Sequence, residues 1–390
     1  MKHKWLCLML PALLLLGTIL SGCGVVGELP KGYLSEGGYT FVITDETAKL
    51  CSLAGLEESV CPENVVIPDT VSGYTVTAIR PAVFFNHTEI KSVTFPTGLL
   101  TVQDNAFYGC TGLTELVFPE GLNVIGWNAF MACTSLTSVS IPSTLKTLER
   151  KAFSGCEALE TVRIADLAAW CSVRFEMADD AYESNPLTYA GVLLINGERA
   201  VSMTIPEGVS VISAGAFCGL STVENVTLPE TLTEIGACAF YDCRSLKTVE
   251  FPAALAGIGS SAFEKCSALT SASFKGISAG QRTIGKRAFT GCTSLREFRI
   301  PSDVDAIDAY TFADCIALAC IEVSENTSRI GACVLLNCTA LTDIYYPGTQ
   351  KEWQKIDKVS YKPSSVDVDR NWDYNAGKYT LHYETTAPIG

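Results

Sequence analysis

One stretch of the sequence decides the fold: Phe107-Tyr-Gly-Cys110-Thr-Gly-Leu113-Thr-Glu-Leu116-Val-Phe118-Pro119-Glu-Gly-Leu122-Asn-Val-Ile125-Gly126-Trp-Asn-Ala129-Phe130. Its phenylalanines belong to three series spaced by 23 residues, in which a leucine takes the last place: Phe84, Phe107, Phe130 and Phe153, then Phe217, Phe240 and Phe263, then Phe289, Phe312 and Leu335. Ten units fit this frame. A period between 20 and 29 residues, with apolar residues at fixed offsets, indicates a leucine-rich repeat.

Each unit predicts its own local structure. The apolar residues Leu113, Leu116 and Phe118 end in alternation, which predicts a short strand with its apolar side inward. Pro119 ends the strand because proline cannot donate to the ladder. Ile125-Gly126 predicts a second inward contact and a turn, and the Ala-Phe pair with the following cysteine predicts one helical or 3-10 turn. We therefore expect a repeat solenoid with a parallel sheet on one face and short turns on the other.

From about Val65 to Pro347 the units read like L-x-x-V-x-I-P-x-x-L-x-x-I-G-x-x-A-F-x-x-C-x-x. This string resembles the BspA-like, or treponemal-type, leucine-rich-repeat family of bacterial surface proteins. The resemblance implies an extracellular protein of a kind often associated with adhesion to host or bacterial surfaces, without a single shared ligand. Four positions depart from the pattern: His87 and Leu220 replace the cysteine, Lys275 the proline and Leu335 the phenylalanine.

The first 22 residues predict an export signal, with Lys2 and Lys4 ahead of the apolar run Leu6 to Leu16. Leu20-Ser21-Gly22-Cys23 resembles the bacterial lipobox, which implies that diacylglycerol is attached to the thiol of Cys23 and holds the chain at the cell membrane. An ordinary signal peptide cleaved at another small residue is the alternative.

The remaining chain divides by its pattern. We expect a Gly-rich tether over residues 23–38, an N-terminal cap over 39–64, repeats over 65–164 and 205–347, and a C-terminal cap over 348–390. The repeat frame breaks between residues 165 and 204. This insert, with Asn196-Gly197 as a hairpin turn, is either a structural splice between two arrays or a bulge that holds a ligand. We expect the caps because the first and last rungs would otherwise expose their apolar faces to water.

Charge narrows the possible partners. Loss of Lys2 and Lys4 from the 28 basic residues, against 42 acidic ones, leaves a net charge of about −16 on the exported chain. Nucleic acid needs a basic face, so it is an improbable partner. We expect a monomer without a cofactor that binds extracellular proteins of a host or of other bacteria.

Cysteine recurs at one offset, but equivalent side chains in stacked rungs point in parallel and do not converge as a disulfide or a metal site requires. We therefore expect buried filling and no metal site. Cys51 and Cys61 bracket a loop and are a candidate disulfide in an exported protein. His87 beside Cys110 is too weak a pair to predict an enzyme, and calcium binding at Asp367 and Asp369 is left open.

The outward positions of the strands carry short polar residues and mixed charges, without a ladder of aromatic rings. The candidate binding residues on this face are Glu115, Arg163, Glu250, Arg299 and Glu322. They predict a non-catalytic protein-binding or adhesion module. The alternative is a structural spacer of the cell envelope that has no discrete ligand.

Overall fold

The computed structural model describes residues 30–57, 61–176, 184–277, 280–359, 372–373 and 376–388. Six strands precede the first complete repeats: β1 (Tyr33–Glu36), β2 (Tyr39–Asp45), β3 (Leu50–Leu56), β4 (Asn64–Val66), β5 (Thr70–Val71) and β6 (Tyr74–Ile79). The first array holds β7 (Ser92–Thr94), β8 (Thr101–Val102), β9 (Glu115–Val117), β10 (Val124–Ile125), β11 (Ser138–Ile141), β12 (Thr147–Leu148) and β13 (Thr161–Ile164).

The insert contributes α1 (Leu167–Cys171), β14 (Arg174–Phe175), α2 (Leu187–Ala190), β15 (Val192–Ile195) and β16 (Glu198–Arg199). The second array holds β17 (Ser202–Thr204), β18 (Val211–Ile212), β19 (Asn225–Thr227), β20 (Glu234–Ile235), β21 (Thr248–Phe251), β22 (Gly257–Ile258), β23 (Ser271–Phe274), β24 (Thr283–Ile284), β25 (Glu297–Arg299), β26 (Ala306–Ile307), β27 (Cys320–Glu322), β28 (Arg329–Ile330) and β29 (Asp343–Tyr346). The C-terminal elements are α3 (Gln350–Trp353), β30 (Asp357–Lys358) and β31 (Thr380–Tyr383).

Every unit places its three- or four-residue strand beside the equivalent strand of the next unit. Ser138 of β11 pairs with Glu115 of β9 on one side and with Thr161 of β13 on the other, always in parallel. The register is therefore one repeat period, which keeps each apolar position above its equivalent. The predicted solenoid with a parallel sheet on one face is confirmed.

A second parallel sheet runs along the solenoid where the sequence predicted only an inward contact and a turn. Val124 of β10 pairs with Thr101 and Thr147 on the neighbouring rungs. In the second array seven such two-residue strands form one continuous sheet from β18 to β30. The Ile-Gly pair of the repeat is thus the end of a strand, and its glycine lies where consecutive rungs approach most closely.

This close approach predicts a large difference between two glycines that are two residues apart. A Cβ at Gly259 would stand 2.4 Å from the backbone nitrogen of Ala237, whereas a Cβ at Gly257 would meet nothing closer than the Thr283 Oγ1 at 3.5 Å. We expect Gly259→Ala to lower the free energy of unfolding by about 3 kcal/mol, because backbone atoms must move apart. Gly257→Ala is the matched control and should leave it unchanged or raise it by up to about 1 kcal/mol. Thermal and urea unfolding of both variants measure this, and equal losses would contradict the explanation.

The third wall consists of turns that carry the phenylalanine column. Phe107 N–H donates to the Ala129 carbonyl and Gly109 N–H donates to the Met131 carbonyl, both at 2.8 Å, so this wall also bonds from rung to rung. Asn105 (φ 56°) and Gly109 (φ 71°) adopt the left-handed conformation on either side of Phe107. The turn is closed by hydrogen bonds between residues three apart, from Tyr108 N–H to the Asn105 carbonyl at 3.1 Å and from Cys110 N–H to the Phe107 carbonyl at 3.2 Å. The short turns predicted on this face are therefore confirmed.

The core is a set of stacked columns. Phe240 is fully buried, with ring centroids 5.2 Å from both Phe217 and Phe263. Beside it each repeat cysteine donates its thiol proton to the phenylalanine carbonyl of the preceding rung, as Cys266 does to Phe240 at 3.2 Å. Aromatic stacking of this kind adds to the area that each ring buries.

The insert adds a rung and closes the first sheet. β15 pairs in parallel with β13, and β16 folds back antiparallel across the turn at Asn196-Gly197, so the predicted hairpin is confirmed. Trp170 of α1 is buried and donates its indole N–H to the Ala216 carbonyl at 2.9 Å, which ties the insert to the second array. The described residues of the insert thus contact both arrays.

The ends of the solenoid differ from the expected boundaries in one respect. Residues 33–38, predicted as tether, belong to the N-terminal cap, because β1 pairs antiparallel with β2 across a Gly37-Gly38 turn. At the other end Trp353 of α3 packs edge-on against Trp372 at 5.8 Å, and β31 extends the last sheet. No helix in the described part of the chain is long and apolar enough to cross a membrane.

Candidate binding groove on the sheet face

The candidate binding residues occupy equivalent positions on the outer side of the first strand of each unit. Arg163 stands beside Ser140 in the first array, and Arg299 stands beside Glu322 in the second. On this side β9 and β13 belong to one sheet, β21 to a second, and β25 and β27 to a third. The predicted residues therefore fall into three groups: Glu115 and Arg163 in the first, Glu250 alone in the second, and Arg299 with Glu322 in the third.

Each predicted residue lies in an ion pair within its own array. Arg163 Nη1 lies 3.4 Å from Glu115 Oε1 across two rungs, and both side chains are about half exposed. Glu250 Oε2 lies 3.8 Å from Lys275 Nζ. Exposed pairs of this kind contribute at most about 1 kcal/mol each, so they leave the charges available to a partner.

A groove of about 630 Å³ opens on the sheet face around Arg299. We call it the sheet groove; it is lined by Ser271, Ala272, Ser273, Phe274, Gly276, Ile277, Glu297, Phe298, Arg299, Ile300, Pro301, Ser302, Glu322, Ser324, Glu325, Pro347 and Thr386. It lies where β23 and β25 belong to different sheets, beside the unit that is three residues longer than the others. Ile277 at its rim is 66% exposed, so its apolar side chain is available for contact.

The position of Lys275 explains why the groove forms here. Its backbone N–H donates to the Phe251 carbonyl at 2.9 Å, a bond that the proline of the other units cannot make. The chain consequently continues beyond β23 before it turns back. Arg282 closes the base of this longer loop, and its guanidinium lies over the Phe274 ring at 4.4 Å.

C-terminal residues form one side of the sheet groove, which the sequence did not predict. Arg299 Nη2 donates to the Ala387 carbonyl at 3.0 Å, and Ala387 N–H donates to Glu322 Oε2 at 2.7 Å. Arg299 Nε is also 3.3 Å from Glu322 Oε2. Glu322 points outward as expected, but it is buried under this contact and does not offer a free carboxylate to a partner. Arg299 stays about half exposed.

The repeats that form this face match a known protein family. The family model for the BspA type leucine-rich-repeat region matches residues 59–174, 196–279 and 273–365 in six copies. The chain belongs to this family. No curated protein matches it.

Solved structures similar to this BspA-type chain are bacterial leucine-rich-repeat proteins. A cell surface protein from Faecalibacterium prausnitzii is 22% identical, with 85% of this chain and 98% of that chain covered and a TM-score of 0.37. A protein from Eubacterium ventriosum is 17% identical over 85% and 96% of the chains, with a TM-score of 0.49. The pneumococcal vaccine antigen PcpA is 17% identical over 86% and 92%, with a TM-score of 0.42.

The cysteines of this BspA-type chain are free thiols throughout the part of it that the structure describes. Cys51 and Cys61 are both buried and unbonded, so the candidate bridge is not present in the structure. The eight column cysteines are fully buried, which agrees with their expected role as core filling: Cys110, Cys133, Cys156, Cys243, Cys266, Cys292, Cys315 and Cys338. Burial raises the pKa of the Cys110 thiol to about 12, the opposite of what a nucleophile needs. Cys23, Asp367 and Asp369 lie outside the described residues.

Proposed function

We propose that the chain is an exported, lipid-anchored, non-catalytic binding protein that holds a segment of an extracellular protein in the sheet groove. The observation that carries this proposal is the combination, in one groove of about 630 Å³, of exposed apolar surface at Ile277 and the half-exposed charge of Arg299. Burial of an exposed aromatic or aliphatic side chain and pairing of an arginine are the contacts that dominate protein interfaces.

The chemistry of the lining defines the partner. A segment that fits would place an apolar side chain against Ile277 and Phe274 and a carboxylate beside Arg299. The serine hydroxyls of β23 and the following loops are further hydrogen-bonding groups for its backbone. Family membership supports a surface location, since the family resemblance implies extracellular, often adhesive proteins. The lipobox-like sequence ending at Cys23 supplies the anchor in this proposal, because acyl chains hold a protein at a bilayer.

Binding to cells that display the full chain tests the proposal. Labelled extracellular proteins of host and bacterial origin are screened for saturable binding, and Cys23→Ala should release the chain from the membrane fraction. For the partner found, Arg299→Glu and Ile277→Asp should each weaken binding by about 10-fold or more, as expected for contacts at the centre of an interface.

Arg163→Glu is the matched control. Arg163 occupies the same repeat position, is about equally exposed and has a glutamate partner at nearly the same distance, yet it lies outside the sheet groove. Its replacement should leave the affinity within about 2-fold, as surface charges outside an interface do. Equal losses in both arginine variants would assign binding to general surface charge, and no saturable binding would favour the envelope spacer.

A further inference from the structure

Three side chains of different chemistry meet at the N-terminal end of the first array. One ligating atom from each of Cys61, His87 and Glu89 lies within 4.8 Å of the other two. His87 Nδ1 and Glu89 Oε1 are already 2.8 Å apart. No other group of three such side chains is this close among the residues that the structure describes.

The repeat explains why these residues meet. His87 takes the place in the column that cysteine holds in the next rungs, so the column stops at Cys110. Cys61, which comes just before β4, lies close enough to Cys110 for its charge to raise the pKa of that thiol after the larger effect of burial. Cys61 is buried, and its sulfur lies within 4.8 Å of the ligating atom of His87, although the two residues come from different parts of the chain.

Glu89 is held as a charged group beside this thiol. Its pKa is lowered first by the hydrogen bond from His87, and then by backbone N–H groups that include that of Cys61. The pKa of the Cys61 thiol is raised to about 11, first because the thiol is buried and then because the Glu89 carboxylate lies nearby. Geometry carries the site: the ligating atoms of Cys61, His87 and Glu89 all lie within 4.8 Å of one another.

We propose that Cys61, His87 and Glu89 form a binding site for one zinc ion. Thiolate, imidazole and carboxylate are the three ligand types that zinc takes in proteins, whereas calcium and magnesium take oxygen ligands. With bonds of about 2.0–2.3 Å, tetrahedral ligand atoms stand about 3.5 Å apart. The separations in this structure, 2.8 Å between His87 and Glu89 and at most 4.8 Å between any two of the three atoms, lie on either side of that distance. His87 is partly exposed, which gives the ion access and leaves the fourth position to water.

Zinc binding displaces protons from its ligands. The Cys61 S–H bond breaks and its proton passes to the solvent. The proton between His87 Nδ1 and Glu89 leaves Nδ1 for the solvent while Nε2 takes one up, so the imidazole stays neutral, and bonds from sulfur, nitrogen and oxygen to zinc form with no oxidation or reduction. The ion would join the loop before β4 to the first complete rung. Because a folded site binds zinc more tightly than the unfolded chain, zinc should also raise the melting temperature.

Cobalt titration of the reduced, metal-free full chain tests this site, because cobalt reports a thiolate ligand through its near-ultraviolet charge-transfer band. We expect the band to saturate at one ion per chain and to disappear when zinc is added. Cys61→Ser should abolish the band, and His87→Ala and Glu89→Gln should weaken binding by at least about 10-fold, the loss usual even for an outer-shell partner.

Two variants control for the chemistry of the side chains. Cys51→Ser removes another buried thiol of the same cap, whose pKa burial also raises to about 11. His382→Ala removes a histidine that is paired with a carboxylate, Asp343, at 2.7 Å. Both should keep the band and the affinity. Circular dichroism shows that each variant is folded. The proposal is overturned if wild-type protein gives no band, or if the band survives in both the Cys61 and the His87 variants.

Discussion

Alkaline pH is expected to unfold the chain over a narrow range that begins just above pH 9. The eight buried column thiols have folded-state pKa values far above the ordinary value of 9.0, because burial disfavours the thiolate. Burial raises the pKa to about 12 for Cys110, Cys156 and Cys338, and it also raises that of the other five.

The sign follows from proton binding in the two states. Below pH 9 the thiols are protonated in both, so they give no pH dependence. Between pH 9 and 12 the unfolded chain loses these protons and the folded chain keeps them, so stability falls as pH rises. Each thiol contributes about 1.4 kcal/mol per pH unit, and eight give about 11 kcal/mol per unit. A typical domain has only about 5–15 kcal/mol of net stability.

Denaturant unfolding followed by circular dichroism at pH 8 to 11, with reductant present, measures this slope. A variant with alanine at Cys133, Cys156, Cys243 and Cys266 is the control, since it keeps every tyrosine and lysine of the chain. Its stability at pH 8 will be lower, and its slope should be smaller than that of the wild type by about 5 kcal/mol per pH unit, the contribution of the four thiols removed. An unchanged slope would assign the alkaline transition to other groups.

The sequence predicts those features that recur with the period. The strand ending at Phe118, the phenylalanine column and the cysteine column all depend on contacts between adjacent rungs, and each contact is repeated many times. Hairpin chemistry at Asn196-Gly197 is equally local. These features follow from residue type and spacing alone, so the fold and the buried role of the cysteines are predictable.

Contacts that occur only once, between distant parts of the chain, leave no recurring pattern in the sequence. Ala387 lies 65 residues from Glu322 and bonds to it, and nothing in either segment indicates that pairing. Cys61 reaches His87 because an irregular segment ends next to an irregular rung. The second sheet escaped prediction for another reason, since two-residue strands are too short to show alternation. The candidate groove and the candidate zinc site therefore both lie where the repeat is broken.

Replacement of Arg282 should show how much stability depends on such a break. The guanidinium is completely buried and lies 3.5 Å from the nearly buried carboxylate of Asp303. Nε also donates to the Leu255 carbonyl at 2.8 Å, and Nη1 and Nη2 both donate to the Gly276 carbonyl at 3.3 Å. This one side chain joins the longer loop to the rung before it and to the rung after it.

We expect Arg282→Met to lower the free energy of unfolding by about 3–5 kcal/mol. Methionine fills much of the volume but leaves the Asp303 carboxylate without its guanidinium and the Leu255 and Gly276 carbonyls without their donors. Removal of one partner of a buried ion pair costs this much because the other charge remains out of water. The loop carries Gly276 and Ile277, so binding in the sheet groove should weaken as well.

Arg244→Met is the control that distinguishes the effect of burial of an ion pair from the effect of its distance. Arg244 makes a shorter, two-pronged pair with Asp242, at 2.8 and 2.9 Å, but its side chain is 67% exposed. Water already solvates both charges there, so its loss should cost less than about 1 kcal/mol. Urea unfolding of the two variants measures the difference. If distance governed stability, Arg244→Met would be the more damaging change; if burial governs it, Arg282→Met will be, by a factor of about three or more.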